Sequence, residues 1–125
     1  MRMTTETPYW DALSQACPTR EVLARIGDKW TVLIVTVLDA HPSRRFAQLR
    51  RDIEGISQKM LTQTLRVLER DGLVDRQVEA TVPVTVRYSL TEQGRGLARV
   101  LDQVRAWAYT NMDAIEQARR AYDAR

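Results

Sequence analysis

The hydrophobic period of this chain changes at Asp71-Gly72, and that change limits the fold more than any other feature. From Gln58 to Arg70 the apolar residues Met60, Leu61, Leu65 and Leu68 recur at helical spacing. From Leu73 onward the period is two. Val74, Arg76 and Val78 alternate with Asp75, Gln77 and Glu79, and Val84, Val86, Tyr88 and Leu90 alternate with Thr85, Arg87 and Ser89. This alternation predicts two half-buried strands joined around Thr81-Val82-Pro83 as a β-hairpin. Pro83 belongs at the tip, because it has no N–H to give a strand ladder. A two-stranded hairpin is marginal in water by itself, so it must lean on a helical body. The expected class is mainly α with a small β-hairpin, an α+β chain.

The rest of the sequence supplies that body. Tyr9, Trp10, Leu13 and Ala16 have helical spacing and predict a short first helix over residues 7–16, interrupted at Cys17-Pro18. Thr19 reads as an N-cap for Arg20–Ile26, with Gly27 as the stop. Asp28 can cap a helix over Lys29–Ala40. Trp30, Leu33, Ile34, Val37 and Leu38 would face the core there, and Thr31, Val32, Val35 and Thr36 leave the helix nearly apolar all round. His41-Pro42-Ser43 is a break, with His41 read as a turn residue. An extended Arg44-Arg45-Phe46 leads into a short helix, Ala47–Ile53, with Phe46, Leu49 and Ile53 inward. Glu54-Gly55 is a turn, Ser57 an N-cap for Gln58–Arg70, and Gly72 a left-handed stop. Thr91 caps a last helix, Glu92–Tyr122. Its stripe of Leu97, Val100, Leu101, Val104, Trp107, Ala108, Met112, Ile115 and Tyr122 is longer than a domain this small can cover with its own body.

Composition excludes several functions. One cysteine among 125 residues cannot build a disulfide framework or a cysteine zinc cluster. One histidine, His41, makes a His-rich metal site or a Ser-His-Asp enzyme hard to assemble, and its 24-position separation from Cys17 leaves a thiol enzyme without a base, so neither a catalytic site nor a metal or cofactor site is expected. No apolar run reaches the roughly 18 residues of a membrane span. The opening MRMTTETPYW lacks the apolar stretch of a signal peptide, so the expected compartment is the cytoplasm, without a membrane partner. A net charge of +3 is a weak hint of a polyanion, but its distribution is uneven. Residues 44–90 hold nine basic and six acidic side chains, whereas residues 1–43 hold four and five. All the basic residues except Lys29 and Lys59 are arginines, whose planar fork suits phosphates and base edges.

A short helix, a tight turn, a capped helix and a hairpin together make a helix-turn-helix followed by a wing. The outward face of Gln58–Arg70 is Gln58, Lys59, Thr62, Gln63 and Arg66, which contains hydrogen-bond donors and no acid. In this motif the first turns of the second helix enter the major groove of double-stranded DNA. Gln63 and Arg66 carry the groups that read adenine and guanine edges, while Ser57, Lys59 and Thr62 suit phosphate oxygens. Arg45 and Arg50 from the short helix and its lead-in, and Thr81 at the hairpin tip, extend the candidate surface. Arg76 and Arg87 can clamp phosphate or pair with Asp75 and Glu79. DNA is the favoured role for Arg87, and Arg76 is evenly balanced. The competing reading is a winged-helix module that binds only proteins.

Six segments resemble one family. They are Cys17-Pro18, the run Ile26–Thr31 (IGDKWT), Arg45–Arg51 (RFAQLRR), Gly55–Leu65 (GISQKMLTQTL), Leu68–Val74 (LERDGLV) and Tyr88–Gly94 (YSLTEQG). Together they closely resemble the HxlR-type winged helix-turn-helix regulators, bacterial relatives of the MarR group, over about residues 13–110. The family pattern often has glycine at Asp28 and Gly-Pro at His41-Pro42, and both differences lie in turns. The resemblance implies one winged helix-turn-helix domain over 1–125, homodimeric on a roughly palindromic operator with half-sites about 34 Å apart. It implies dimerisation through N- and C-terminal helices, here residues 1–16 and 91–122. The corresponding interface candidates are Tyr9, Trp10, Leu13, Leu101, Val104, Trp107, Ala108, Met112 and Ile115. Several such regulators sense oxidants or electrophiles through a cysteine beside a proline, which Cys17-Pro18 matches. Here the helix start near Thr19 and the neighbouring Arg20 would lower the thiol pKa. The alternative is a structural thiol. A small-molecule effector could lie beside Trp30 and Trp107, although core packing is the favoured use of both.

Overall fold

Asp28 starts the helical body. Its carboxylate accepts from the Trp30 amide at 3.2 Å and from the Thr31 hydroxyl at 3.2 Å, holding the first turn of a helix at Lys29–Ala40. The computed structural model describes residues 10–125, so Tyr9 lies outside the described residues. In chain order the elements are α1 (Thr19–Gly27), α2 (Lys29–Ala40), β1 (Arg44–Arg45), α3 (Phe46–Asp52) and α4 (Gln58–Arg70). They continue with β2 (Val74–Glu79), β3 (Thr85–Leu90) and α5 (Glu92–Asp123).

The core lies where α2, α3, α4 and the base of the hairpin meet the first third of α5. Ile34, Val35, Leu49, Leu61, Leu68 and Leu101 are almost completely removed from water. Each contributes about 1.5–3 kcal/mol by burial. α2 is the central helix, but its inward stripe is rotated from the expected one. Thr31 and Val35 are buried with Ile34 and Leu38, while Leu33 is 38% exposed. A helix apolar on all sides does not encode which side is inner, and packing against α4 and α5 decides. Arg105 on α5 also donates to the Thr36 hydroxyl at 2.8 Å and to Asp102 at 2.9 Å, joining α5 to α2.

Four boundaries follow from local chemistry. Ser57 Oγ accepts from the Met60 amide at 3.0 Å and opens α4. Gly72 closes α4 at φ 74°. Its amide reaches the Glu69 carbonyl, and that of Leu73 reaches Leu68 at 2.9 Å, the paired bonds of a Schellman stop. Gly55, at φ 89°, makes the turn between α3 and α4. Thr91 opens α5 by accepting from the Gly94 amide at 3.0 Å.

The sheet has three strands in the order β1-β3-β2, all antiparallel. The hairpin register pairs Val74 with Leu90, Arg76 with Tyr88 and Val78 with Val86, so the two strands pair as expected, but the expected alternation of burial is not observed: only Val74 and Leu90 at the root are buried, and the rest of β2, Val78 included, is exposed because the outer hairpin is uncovered. The third strand is the short Arg44–Arg45, added to the edge of β3.

Three expectations need correction at the N-terminal side. The described part of the expected first helix, residues 10–16, forms successive turns rather than a helix. Asp11 accepts through its side chain from Leu13 and through its carbonyl from Ser14. Arg20 satisfies the Ala12 and Leu13 carbonyls at 2.9 Å. These local bonds replace the helical ladder. Thr19 is inside α1, with Pro18 at the cap position and no side-chain cap bond. Gly27 is the last residue of α1 rather than its stop, and the chain leaves the helix at an extended Asp28.

Candidate nucleic-acid interface

α4 is strongly two-sided. Leu61, Thr64, Leu65 and Leu68 are buried, with the Thr64 hydroxyl returned to the Met60 carbonyl at 2.7 Å. The sequence pattern did not place Thr64 inward, because a threonine reads as polar until that bond is seen. Ser57, Gln58, Lys59, Gln63 and Arg66 are exposed, and Thr62 is half-buried. Ser57, Gln58 and Lys59 lie at the positive end of the helix dipole, where first-turn amides favour anions, and Thr62, Gln63 and Arg66 follow along the helix.

Two grooves flank the exposed face. On the wing side, Thr62 and Arg66 share a groove of about 300 Å³ with Arg76, Tyr88 and Glu69. On the other side, Gln63 lines a groove of about 190 Å³ with Arg25, Asp28 and Thr31. The structure thus brings Arg76 beside Arg66, which the sequence left undecided. Glu69 is the one acid in the wing-side groove, one turn beyond Arg66. Among the described residues neither Arg66 nor Arg76 forms an ion pair.

The other arginines divide by partner. Arg44 makes a two-pronged bond to Asp52 at 2.8 and 2.9 Å. Arg25 on α1 holds Asp71 at the end of α4 at 2.8 Å. Arg45 and Arg50 are exposed. Arg87 pairs with Glu79 at 3.1 Å, so the balance between its two candidate roles moves toward the internal pair. Their alternation puts Arg87 and Glu79 on the hairpin face opposite Arg76. The Thr81 hydroxyl is also used internally, donating to the Pro83 carbonyl at 2.7 Å and lying 3.0 Å from the Thr85 hydroxyl.

Cys17 is half-buried in the turn before α1. Its Sγ lies 3.1 Å from the Thr19 hydroxyl and accepts from the Asp11 amide at 3.1 Å. The thiol pKa is held below its ordinary value, first by the Thr19 hydroxyl and then by the Thr19 amide, against an opposing effect of desolvation. The direction is the one expected, but the cause is different. Arg20 is engaged with the Ala12 and Leu13 carbonyls.

Along α5, Val104 and Trp107 are exposed, with Ala108, Met112 and Ile115 half-buried beside them. Leu101 is buried in the chain's own core and presents no surface. Trp10 and Leu13 are exposed in the N-terminal turns. Trp30 packs against the core cluster. Among the described residues no group of acidic, histidine or cysteine side chains could hold a metal, and no helix is long and apolar enough to cross a membrane.

The family model for HxlR-like helix-turn-helix proteins matches residues 25–116. The uncharacterized HTH-type transcriptional regulator YybR of Bacillus subtilis (strain 168) is 42% identical over 106 residues, 84% of this chain and 83% of that one. The solved structure of ytfH from Salmonella typhimurium superposes with a TM-score of 0.81 at 35% identity, covering 89% of this chain and 98% of the other. The redox regulator HypR in its reduced form superposes with a TM-score of 0.73 at 40% identity, covering 80% and 98%.

Proposed function

Since the chain belongs to the HxlR-like helix-turn-helix family of transcriptional regulators, we propose that it acts as a homodimer on a roughly palindromic DNA operator. The observation that carries this reading is the exposed face of α4. It presents Lys59, Gln63 and Arg66 with no acid between them, opens on a capped N-terminus, and lies beside a projecting wing. Gln63 and Arg66 read base edges in the major groove. Ser57, Gln58, Lys59 and Thr62, with Arg45 and Arg50 on the α3 side, hold the phosphate backbone. Arg76 approaches the same backbone from the wing-side groove.

One winged helix-turn-helix domain per subunit would present this face, and α5 would join two such subunits through Val104, Trp107, Ala108, Met112 and Ile115. Cys17 is the oxidant- or electrophile-responsive group in this reading. The lowered thiol pKa and the similarity to the redox regulator HypR support that role. With one cysteine in the chain, a peroxide takes two electrons from Cys17 Sγ to give a sulfenic acid and water, or a peroxide or diamide takes two electrons and two protons from Cys17 and a second thiol, of another subunit or a small molecule, to give a disulfide and water or a hydrazine.

The test is binding to the chain's own upstream intergenic DNA, followed by gel shift at 50 and 200 mM salt. Six to ten phosphate contacts predict a fall in affinity of about 10³- to 10⁵-fold across that range. Weak binding with a flat salt response would instead support a module that binds only proteins.

A further inference from the structure

The C-terminal end of α2 is left negative. No basic side chain lies in its last turn, and Asp39 adds a carboxylate there. Pro42, which follows, has no N–H to give the final carbonyls. An acid is ordinarily favoured at the opposite end of a helix. Among the described residues Asp39 makes no ion pair, and its carboxylate accepts no hydrogen bond.

A second charge lines the same space. Arg95, in the first turn of α5, shares with Asp39 a cleft of about 310 Å³. His41 and Pro42 form its rim, and Leu38 and Leu90, both buried, form its floor. Arg95 Nη1 donates to the Leu90 carbonyl at 3.1 Å. This bond anchors the guanidinium and leaves its Nε–Nη2 edge without a partner among the described residues. The two opposite charges therefore border one cleft and do not bond to each other, so one small occupant can meet both.

Chemistry selects that occupant. The open edge of an arginine takes a carboxylate with two parallel bonds. The Asp39 carboxylate and the negative end of α2 attract an ammonium group. The leucine floor takes an apolar branch. An α-amino acid with an apolar side chain carries all three groups on one carbon. The cleft is at the small end of ligand sites, which begin at about 300 Å³, and suits a molecule of that size.

We propose that the cleft between the end of α2 and the start of α5 binds a free apolar α-amino acid. Its ammonium lies on Asp39 and the last α2 carbonyls, its carboxylate on Arg95, and its side chain on Leu38 and Leu90. The occupant ties α2 to α5 beside Thr91, whose bonds hold the end of α4 and the root of the wing. The site does not depend on the reading of α4; only its use as a control on DNA binding does.

The experiment is equilibrium dialysis of the full chain, without DNA, against radiolabelled L-leucine and L-valine. One molecule per chain is expected to be retained. Two analogues dissect the recognition: 4-methylpentanoate lacks the ammonium of leucine, and 3-methylbutylamine lacks its carboxylate. Each is expected to displace the label about tenfold or more less effectively than leucine. Asp39→Asn and Arg95→Gln are expected to weaken retention by a similar factor. Because Asp39 bonds to no other residue, Asp39→Asn should unfold at the wild-type temperature even if Arg95→Gln, which loses the bond to Leu90, does not. Failure to retain either amino acid overturns the proposal. So does displacement by either analogue as effectively as by leucine, or full retention by Asp39→Asn. With no DNA present, a failure of the α4 reading leaves these results untouched.

Discussion

At the residue scale, the caps were the most legible features. Asp28, Ser57 and Thr91 each have a side-chain oxygen placed to accept from an open amide, and each does so. Thr19 belongs to the same residue class and was expected to cap α1, yet its hydroxyl turns to the Cys17 sulfur. A short polar side chain has several local partners within reach, and sequence does not rank them. The consequence is chemical. Because the folded pKa of Cys17 is lowered, the thiolate is favoured in the native state. Stability rises as pH climbs from the folded pKa to the ordinary thiol value, and is lost on the way back down. Diamide at neutral pH should change operator affinity in the wild type but not in Cys17→Ser. Thr19→Val should slow alkylation of Cys17 by iodoacetamide, and an unchanged rate would assign the low pKa elsewhere. Gly94 gives a second residue-scale expectation. A Cβ there would collide with the Leu73 carbonyl oxygen and meet Leu90 Cδ2 at 3.1 Å. Gly94→Ala should cost about 1–3 kcal/mol in urea unfolding.

At the element scale, α4 and the hairpin could be read from period alone. Each has one strong repeat, with its turn residue at the position where the repeat changes. β1 could not be read as a strand of the sheet. It is two residues long, and its pairing of Arg44 with Tyr88 joins positions far apart in sequence. Residues 10–16 were misread for a related reason: four apolar residues at helical spacing do not outweigh the Asp11 side-chain turn and the arginine-bound carbonyls. Within α4 the two exposed cation types should separate by experiment. Arg66→Ala should lose about 1–3 kcal/mol of discrimination against a changed base pair. Lys59→Ala should weaken all sequences alike and reduce the salt slope by about 1. Competition binding against single-base operator variants distinguishes the two. Normal discrimination by Arg66→Ala would move the reading face elsewhere on α4, with Gln63 as its next candidate.

At the scale of the whole molecule, α5 outgrows the body it belongs to. Its 32 residues extend about 48 Å, while its buried positions, Gly94, Ala98 and Leu101, all lie in the first third. Its overhang was legible from the length of the apolar stripe, but the division within that stripe was not. Leu101 and Val104 look equivalent on a helical repeat, and only the placement of α2 buries one and leaves the other 44% exposed. Trp107→Asp should therefore give monomers in size-exclusion chromatography and weaken operator binding by about 10²-fold or more, as the two half-sites lose their linkage. A dimer of unchanged affinity would place the subunit contact elsewhere.

Thr91 gives this architecture its mechanics. Its amide bonds the Leu73 carbonyl, its hydroxyl bonds the Gly72 carbonyl, and Gly94 lets the first turn of α5 sit against that same backbone. The end of α4, the root of the wing and the start of α5 are thus bonded together at one point. In a two-subunit assembly each α5 becomes a boom of fixed pitch. The span between the two reading heads is then set by an angle of a few backbone atoms, far from any base. Damage to that point should alter which half-site spacing is accepted before it alters which letters are read.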